Sequence, residues 1–458
     1  MESSILKFGH IPEVLSDKER GLVSYLMQAV EATDDLYQRQ KNSALPGANF
    51  YPPDASKKEI EQAAKKNPAI LDPYTFVERA ANGKLIATPY VKKFEKELTR
   101  ISNLLKEAAE YADDLTFRAY IRARAEDLLR ETYDESNLLW VKSGNAKVGF
   151  VLGAFDRYLD QLFFRKRAYM GWVGILDEPR TREMAEFTKA FLSGDRKHLP
   201  GAKNAQVPQA RIRVEDTLVF AGLIGDFSFV GSSLPSFADA EFIKRYGTMF
   251  TMFKPSLANR FESIFEIFRT VFSQEVQNRY SKESLRHAFL YISVLHEASH
   301  NLMRYEDAVT RLQEFFPYFD EGYADILSIK GCGPLLLQGV FTEWQLEALL
   351  LMNICESIYF CKRYMDASQV GPYAIGSTMS LDFLLQGKAL IHTKNGFEID
   401  AYRAFVVFDQ LSHIFEYYIA IGTYNEAKVF LRRAKTKKTF AHFAPYIEDK
   451  RQEEYALV

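Results

Sequence analysis

The segment VLHEASHNL carries two histidines four residues apart, His296 and His300, with Glu297 directly after the first of them. Apolar residues recur at three- and four-residue steps before this segment, a spacing that predicts a helix. Residues four apart lie on the same face of a helix, so both imidazoles can bind one metal ion. Glu297 then points beside the ion, where it can act as the general base for a metal-bound water.

A zinc ion that catalyses hydrolysis needs a third protein ligand and an open position for water. The segment FFPYFDEGYADILSI supplies two carboxylates, Glu321 and Asp325, four residues apart on a second predicted helix. We expect Glu321 to be the third ligand and Asp325 to accept the free N–H of a ligand imidazole. The alternative is that both acids lie on a solvated helix face. The prediction is one zinc ion per chain, although this ligand set also accepts cobalt, manganese or another divalent ion.

These groups together predict the metal-assisted hydrolysis of an amide. Bound zinc lowers the pKa of its water from about 15.7 towards about 7, which makes a nucleophile at neutral pH. Glu297 would take the proton of that water and pass it to the leaving amine. The charge on the tetrahedral intermediate needs a second electrophile beside the zinc, and tyrosine and histidine side chains are the usual candidates.

The composition argues against several other classes of partner. The formal net charge is -2, with 58 basic and 60 acidic residues, which gives no reason to expect a nucleic-acid partner. No apolar run is long enough to span a bilayer, and the polar N-terminus, interrupted by Pro12, lacks the pattern of a signal peptide. Cys332, Cys355 and Cys361 match no common metal or redox spacing and predict buried thiols in a reducing environment. We therefore expect a cytoplasmic protein with no nucleic-acid or membrane partner.

Most of the sequence has the apolar spacing of helices. Helices are predicted in 90–115 and in 341–365, which is apolar on most faces. Strands are predicted at 148–152 and 211–222. Two Pro- and Gly-rich stretches predict loops, at 43–56 and 193–210.

The predicted fold class is mainly α, of the α+β kind. Three parts are expected along the chain: an N-terminal helical segment and linker at 1–56, a mixed α/β region at 57–250, and a helical zinc-binding region at 251–458. All three predicted ligands, His296, His300 and Glu321, would lie in the last part, which makes it the catalytic region.

The two metal motifs resemble those of the dipeptidyl peptidase III family, gluzincin-type zinc peptidases, and especially its shorter bacterial branch. The second motif of that family, Glu-Glu-x-x-Ala-Glu/Asp, corresponds here to the run Asp320-Glu321-Gly322-Tyr323-Ala324-Asp325. The best-known members have one more residue between the two histidines, whereas some bacterial relatives share the HExxH form found here. The resemblance runs from about Leu71 to the C-terminal helices. It implies two lobes around a cleft, one helical and zinc-binding and the other mixed α/β.

A third element, GAFDRYLDQLF, resembles the family's Glu-x-Tyr-x-Asp element, with Asp156, Tyr158 and Asp160 at the matching spacing. The resemblance implies that Tyr158 stabilises the oxyanion and that Asp156 binds the ammonium group of the substrate. From the residues alone, Tyr158 would be a packed core aromatic. Two positions depart from the family pattern: Ser236 replaces an asparagine that grips the peptide backbone, and Tyr373 stands in place of a histidine that assists catalysis. Tyr373 is therefore a candidate substrate-binding residue, and strict release of dipeptides does not follow from the resemblance.

The expected function is zinc-dependent hydrolysis of short peptides, with exopeptidase action from the N-terminus. Two alternatives stay open. One is a metal-dependent hydrolase on the same scaffold that acts on a specialised amide, because two substrate-gripping positions differ from the family. The other is a non-catalytic peptide-binding protein, against which the intact Glu297 argues, since a binding protein has no use for a base beside the metal.

Overall fold

The computed structural model describes residues 3–192, 210–235, 240–300, 302, 307–364 and 371–448. The protein is mainly helical (61%) with a mixed sheet lobe, which confirms the fold class expected from the sequence. The described residues divide into two compact units, one within 1–181 and 208–256 and the other within 182–207 and 257–458. Each unit is described separately below.

The first unit combines a mixed sheet with helices, and its elements occur in this chain order: β1 (Leu6–Lys7), α1 (Asp17–Glu31), α2 (Thr33–Gln40), α3 (Lys57–Lys66), β2 (Thr75–Arg79), β3 (Leu85–Pro89), α4 (Tyr90–Lys93), α5 (Glu95–Tyr111), α6 (Leu115–Asp127), α7 (Asp134–Lys142), β4 (Val148–Asp156), β5 (Ala168–Leu176), α8 (Glu178–Leu192), β6 (Ala210–Gly222), α9 (Leu223–Phe227), β7 (Gly231–Leu234), α10 (Ala240–Tyr246) and β8 (Thr248–Phe253). One boundary between the units falls within α8, whose residues 182–192 belong to the second unit. The other boundary falls within the helix after β8, whose residues 254–256 belong to the first unit. Core residues from the N-terminal part, such as Leu26 and Phe50, pack in this unit. The three-part division of the chain stays a sequence-based prediction.

Six strands of the described residues form the main sheet, in the order β4-β5-β6-β8-β7 with β1 paired to β6. β4 is antiparallel to β5 and β5 to β6, whereas β6 and β8 are parallel. The strands predicted at 148–152 and 211–222 lie within β4 and β6. β4 and β5 are rich in β-branched and aromatic residues and are buried along most of their length, as strands covered on both faces are.

The element with Asp156, Tyr158 and Asp160 begins at the last residue of β4 and continues into the loop after it, where Asp160 binds the backbone. The Asp160 carboxylate accepts hydrogen bonds from the backbone N–H groups of Phe163 (3.0 Å), Arg165 (2.8 Å) and Lys166 (2.9 Å). The Tyr51 hydroxyl donates a further hydrogen bond to it at 3.0 Å. Asp160 is completely buried, and these donors, together with the backbone N–H of Leu162 at 3.2 Å, compensate its charge. Its observed contacts are therefore structural.

The second unit is almost entirely helical, and its elements occur in this order: α11 (Lys254–Val271), α12 (Gln274–Gln277), α13 (Lys282–Ser299), α14 (Ala308–Leu312), α15 (Phe316–Lys330), α16 (Cys332–Leu337), α17 (Glu343–Arg363), α18 (Pro372–Gln386), β9 (Leu390–Thr393), β10 (Gly396–Ile399), α19 (Ala401–Ala420), α20 (Tyr424–Leu431), α21 (Thr436–Phe440) and α22 (Ala444–Glu448). The helix predicted from the apolar run at 341–365 is α17, most of whose residues are buried. No helix in the described part of the chain is both long and apolar enough to cross a membrane.

Local signals position the two helices that carry the metal motifs. Ser281 caps α13, where its side chain accepts a hydrogen bond from the backbone N–H of Ser284. α15 has Pro317 in its first turn, where a proline removes no helical hydrogen bond. α13 and α15 pack against each other, and α15 also packs against α18 and α19. The side chains of both motifs therefore meet within one helical core.

Candidate metal centre

Three side chains predicted as metal ligands meet between the end of α13 and the middle of α15. His296 Nε2 lies 3.2 Å from His300 Nε2 and 3.2 Å from Glu321 Oε2. His300 Nε2 lies 3.7 Å from the same carboxylate oxygen. These three groups form a cluster whose ligand atoms could hold a metal ion. The helix turn brings the two imidazoles together, and the packing of α15 brings the carboxylate to them.

The spacing of these atoms fits a zinc ion. Bonds of about 2.0–2.1 Å in tetrahedral geometry place ligand atoms about 3.3–3.4 Å from one another. The observed separations, between 3.2 and 3.7 Å, lie around this value. His296 Nδ1 lies 2.7 Å from Asp325 Oδ1, which favours the tautomer with the proton on Nδ1 and a lone pair on Nε2. A lone pair that faces a carboxylate oxygen is stabilised by a cation between them, so the donor set fits a divalent metal.

The electrostatics of the site also favour a cation. Burial lowers the pKa of His296, but the charges of Asp325 and Glu321 outweigh it, and the resulting pKa is well above the usual value for histidine. Burial likewise lowers the pKa of His300, whereas Asp320 and Glu321 raise it to about 9. Both imidazoles therefore lie in a strongly negative field. A divalent ion bound at this position would balance the same carboxylates.

Asp320 is a neighbour of the site that the sequence analysis did not assign. Its Oδ2 lies 3.4 Å from His300 Nδ1, so each histidine has an acid beside the nitrogen that faces away from the cluster. The sequence did indicate that such an acid is needed, because each histidine that binds a metal has a second ring nitrogen that requires a partner. The residue before Glu321 was the available acid, but the orientation of the His300 ring cannot be read from the sequence.

Glu297, the predicted general base, is buried with only 9% of its surface exposed. It follows His296 in α13 and is not one of the three clustered ligands. Burial raises the pKa of its carboxyl group, and the charges of the two histidines oppose the shift. A raised pKa makes a carboxylate a better proton acceptor, as a general base requires.

Tyr373, the predicted substrate-binding residue, lies beside the cluster. It is the second residue of α18 and is half-buried. The centroid of its ring lies 6.5 Å from the centroid of the His296 ring, with 33° between the planes. The structure thus places Tyr373 next to the predicted ligands, and its role stays a prediction.

Asp156 and Tyr158 belong to the first unit, whereas the clustered ligands belong to the second. A β-bulge at the end of β4 precedes Tyr158, whose backbone N–H donates to Asp156 Oδ1 at 2.9 Å. The half-buried Tyr158 ring packs among aromatic side chains, with centroid distances of 6.1 Å to Phe164 and 6.3 Å to Phe227. These contacts do not bear on the oxyanion role of Tyr158 or the ammonium-binding role of Asp156, and both roles stay predictions. Ser236, the other departure from the family pattern, lies outside the described residues.

The chain matches no known protein-family model. It is 23% identical over 406 residues to Nudix hydrolase 3 of Arabidopsis thaliana, a match that covers 80% of this chain and 51% of that protein. The chain therefore spans about half the length of this curated relative.

Two solved structures resemble the chain over nearly its whole length. The structure of dipeptidyl-peptidase III from Corallococcus sp. strain EGB has a TM-score of 0.87 at 19% identity, and the match covers 97% of this chain and 93% of that one. The structure of DPP III from Caldithrix abyssi has a TM-score of 0.78 at 20% identity, covering 95% and 94%. The chain has the fold of these structures, which confirms at the level of fold the resemblance inferred from the motifs.

Proposed function

We propose that this chain is a zinc-dependent peptidase that cleaves short peptides. The observation that carries the proposal is the cluster of His296 Nε2, His300 Nε2 and Glu321 Oε2, whose separations of 3.2 to 3.7 Å fit one zinc ion. The fold shared with two dipeptidyl-peptidase III structures supports the same assignment. The first observation is local, and the second concerns the whole chain.

The proposed mechanism assigns a task to each residue around the cluster. A zinc ion held by His296, His300 and Glu321 would supply a Lewis acid that increases the acidity of a water molecule. Glu297 accepts the proton of the attacking water and returns it to the leaving amine, a role supported by its raised pKa. Asp325 holds the His296 ring in the tautomer that presents Nε2 to the ion.

Substrate contacts complete the proposal. The Tyr158 hydroxyl would donate a hydrogen bond to the oxyanion, and Asp156 would bind the N-terminal ammonium group, which favours exopeptidase action. Tyr373 would contact the substrate from beside His296. We also propose a cytoplasmic location, which the three buried free thiols support.

A hydrolase of a specialised amide, or a peptide-binding protein without activity, would share the same fold. The buried Glu297 beside the histidines favours catalysis over binding alone. The Nudix name belongs to a protein of which this chain spans only about half the length, so it assigns no activity to this chain.

The test is turnover of a library of short peptides by the purified chain, with and without one equivalent of zinc. Each peptide is supplied with a free and with an acetylated N-terminus. The proposal expects cleavage that needs zinc, is lost in Glu297→Gln, and is much weaker for acetylated peptides. Cleavage that survives both chelation and Glu297→Gln would contradict the mechanism. Equal cleavage of free and acetylated peptides would contradict the exopeptidase assignment alone.

A further inference from the structure

An aromatic stack lies beside the predicted metal ligands in the second unit. Phe360 in α17 stacks on Tyr373, with ring centroids 4.8 Å apart and only 16° between the planes. The ring of Tyr364 is also nearly parallel to Phe360, at 6.4 Å and 21°. Tyr373 in turn faces His296, with ring centroids 6.5 Å apart. Phe360 is therefore linked to a predicted zinc ligand through a single intervening side chain.

The Phe360 ring is itself held firmly. Only 6% of its surface is exposed, and the guanidinium carbon of Arg260 lies 5.3 Å from its centroid. Arg260 is buried, lies 5.0 Å from the centroid of the Tyr359 ring, and forms an ion pair with Glu356 at 3.6 Å. Contacts of a cation with aromatic faces are stronger when the cation is desolvated. The ring thus offers Tyr373 a surface of fixed orientation.

Backbone packing fixes the position of the helix that carries Tyr373. A Cβ atom added at Gly376 in α18 would lie 2.5 Å from the Cα of Gly322 in α15, so the two helices touch at their backbones. Gly322 follows the predicted ligand Glu321 directly. This contact sets the distance between the helices, whereas the χ angles of Tyr373 are set by what its ring packs against. The stacked neighbour is Phe360.

We propose that Phe360 is a positioning residue, which holds the Tyr373 ring in the plane that it presents beside His296. This inference rests on the proposed peptidase function, because the expected consequence is weaker binding of the peptide. Offset aromatic pairs contribute enough free energy beyond burial to change an equilibrium by about two- to tenfold. Loss of the stack lets the Tyr373 ring leave this plane, which raises KM more than it lowers kcat.

The test is a double-mutant cycle on Phe360→Leu and Tyr373→Leu, measured with one cleaved peptide at saturating zinc. Phe360→Leu is expected to lower kcat/KM about two- to tenfold, mainly through KM, with full zinc content. The same substitution is expected to have no further effect on kcat/KM when Tyr373 is already leucine, because the residue it positions is gone. Phe360→Tyr keeps the stack and should retain wild-type KM. Independent, additive losses in the two variants would overturn the proposal.

Two further measurements separate this proposal from its premise. Phe443→Leu removes another buried ring, which packs on Phe397 at 5.0 Å, and reports the effect of lost burial away from Tyr373. It should lower thermal stability without changing KM; a KM increase equal to that of Phe360→Leu would overturn the positioning role.

A crystal structure of Phe360→Leu is expected to show the Tyr373 ring displaced. If the ring keeps its place, the proposal is wrong whether or not the wild-type protein cleaves peptides. A wild-type protein that cleaves no peptide overturns only the proposed function.

Discussion

His296 Nδ1 lies 2.7 Å from Asp325 Oδ1, while Nε2 of the same ring lies 3.2 Å from Glu321 Oε2. One imidazole thus contacts two carboxylates that are a single helical turn apart in α15. The arrangement orients the ring by its outer nitrogen and presents the inner nitrogen to the cluster.

Asp325→Asn should weaken zinc binding. An asparagine can present its oxygen to Nδ1–H but carries no charge, so the histidine becomes a poorer ligand. Loss of such an outer partner typically costs about 10- to 100-fold in metal affinity. Competition with a chelator of known affinity measures the effect. Asp320→Asn should lower zinc affinity less, because Asp320 lies 3.4 Å from His300 Nδ1. Asp409 is exposed, and Asp409→Asn serves as the control that should leave zinc affinity unchanged. A larger loss of zinc affinity in Asp320→Asn than in Asp325→Asn would show that Asp320 supports its histidine more strongly than Asp325 does.

One zinc ion per purified chain is expected, with ligand bonds of about 2.0–2.2 Å in a crystal structure. Because the ion binds the folded state, zinc at 100 times its Kd should increase the free energy of unfolding by about 2.7 kcal/mol. His300→Ala should lose both the metal and this stabilisation. Elemental analysis and thermal unfolding with and without a chelator provide the measurement. A His300→Ala variant with full zinc content would remove this residue from the ligand set.

Glu297→Gln should keep zinc and lose nearly all turnover. The substitution preserves the size of the side chain and the three ligands but removes the proton acceptor. A general base contributes about 10²- to 10⁴-fold to the rate. Steady-state kinetics on a cleaved peptide, together with zinc content, test the expectation. A wild-type rate in this variant would exclude Glu297 from the mechanism.

Tyr158→Phe should lower kcat about 10²- to 10³-fold if the hydroxyl donates to the oxyanion. Zinc content and thermal stability should change little, because the ring still packs against Phe164 and Phe227. Tyr25→Phe is a matched control in the same unit, since Tyr25 is also half-buried and packs on an aromatic ring, that of Tyr111. Equal rates for the Tyr158 variant and the wild type would leave Tyr158 as a core aromatic.

Glu131 should make the stability of the first unit depend on pH. Burial raises the pKa of its carboxyl group from 4.5 to about 7, although hydrogen bonds from Tyr169 and Tyr133 oppose the shift. Between these values the folded state keeps a proton that the unfolded state has released. Stability therefore decreases as the pH rises from about 4.5 to about 7, by about 3 kcal/mol in total.

Glu131→Gln removes this titration, so the stability of the variant relative to the wild type should increase from pH 5 to pH 8. Any constant effect of the new amide on the two tyrosine hydroxyls cancels in the comparison between pH values. Urea unfolding of both proteins at each pH measures the difference. A relative stability that is the same at both pH values would show that Glu131 keeps an ordinary pKa.

Local spacing is the reason that the candidate metal ligands could be proposed from the sequence. His296 and His300 are one helical turn apart, and so are Glu321 and Asp325, so the periodicity of the helix alone places each pair on one face. The helical composition and the strands at 148–152 and 211–222 were likewise predicted from patterns that act over a few residues.

Contacts between elements distant in the chain were decided by the tertiary structure. The pairing of Asp320 with His300 depends on how α15 packs against α13, and the stack of Phe360 on Tyr373 depends on the approach of α17 to α18. The burial of Glu131, and with it the raised pKa, likewise comes from side chains far along the sequence. Helix periodicity acts between neighbours and is visible in the letters of the sequence. Packing between helices depends on the combined shapes of many side chains, and no short pattern records it.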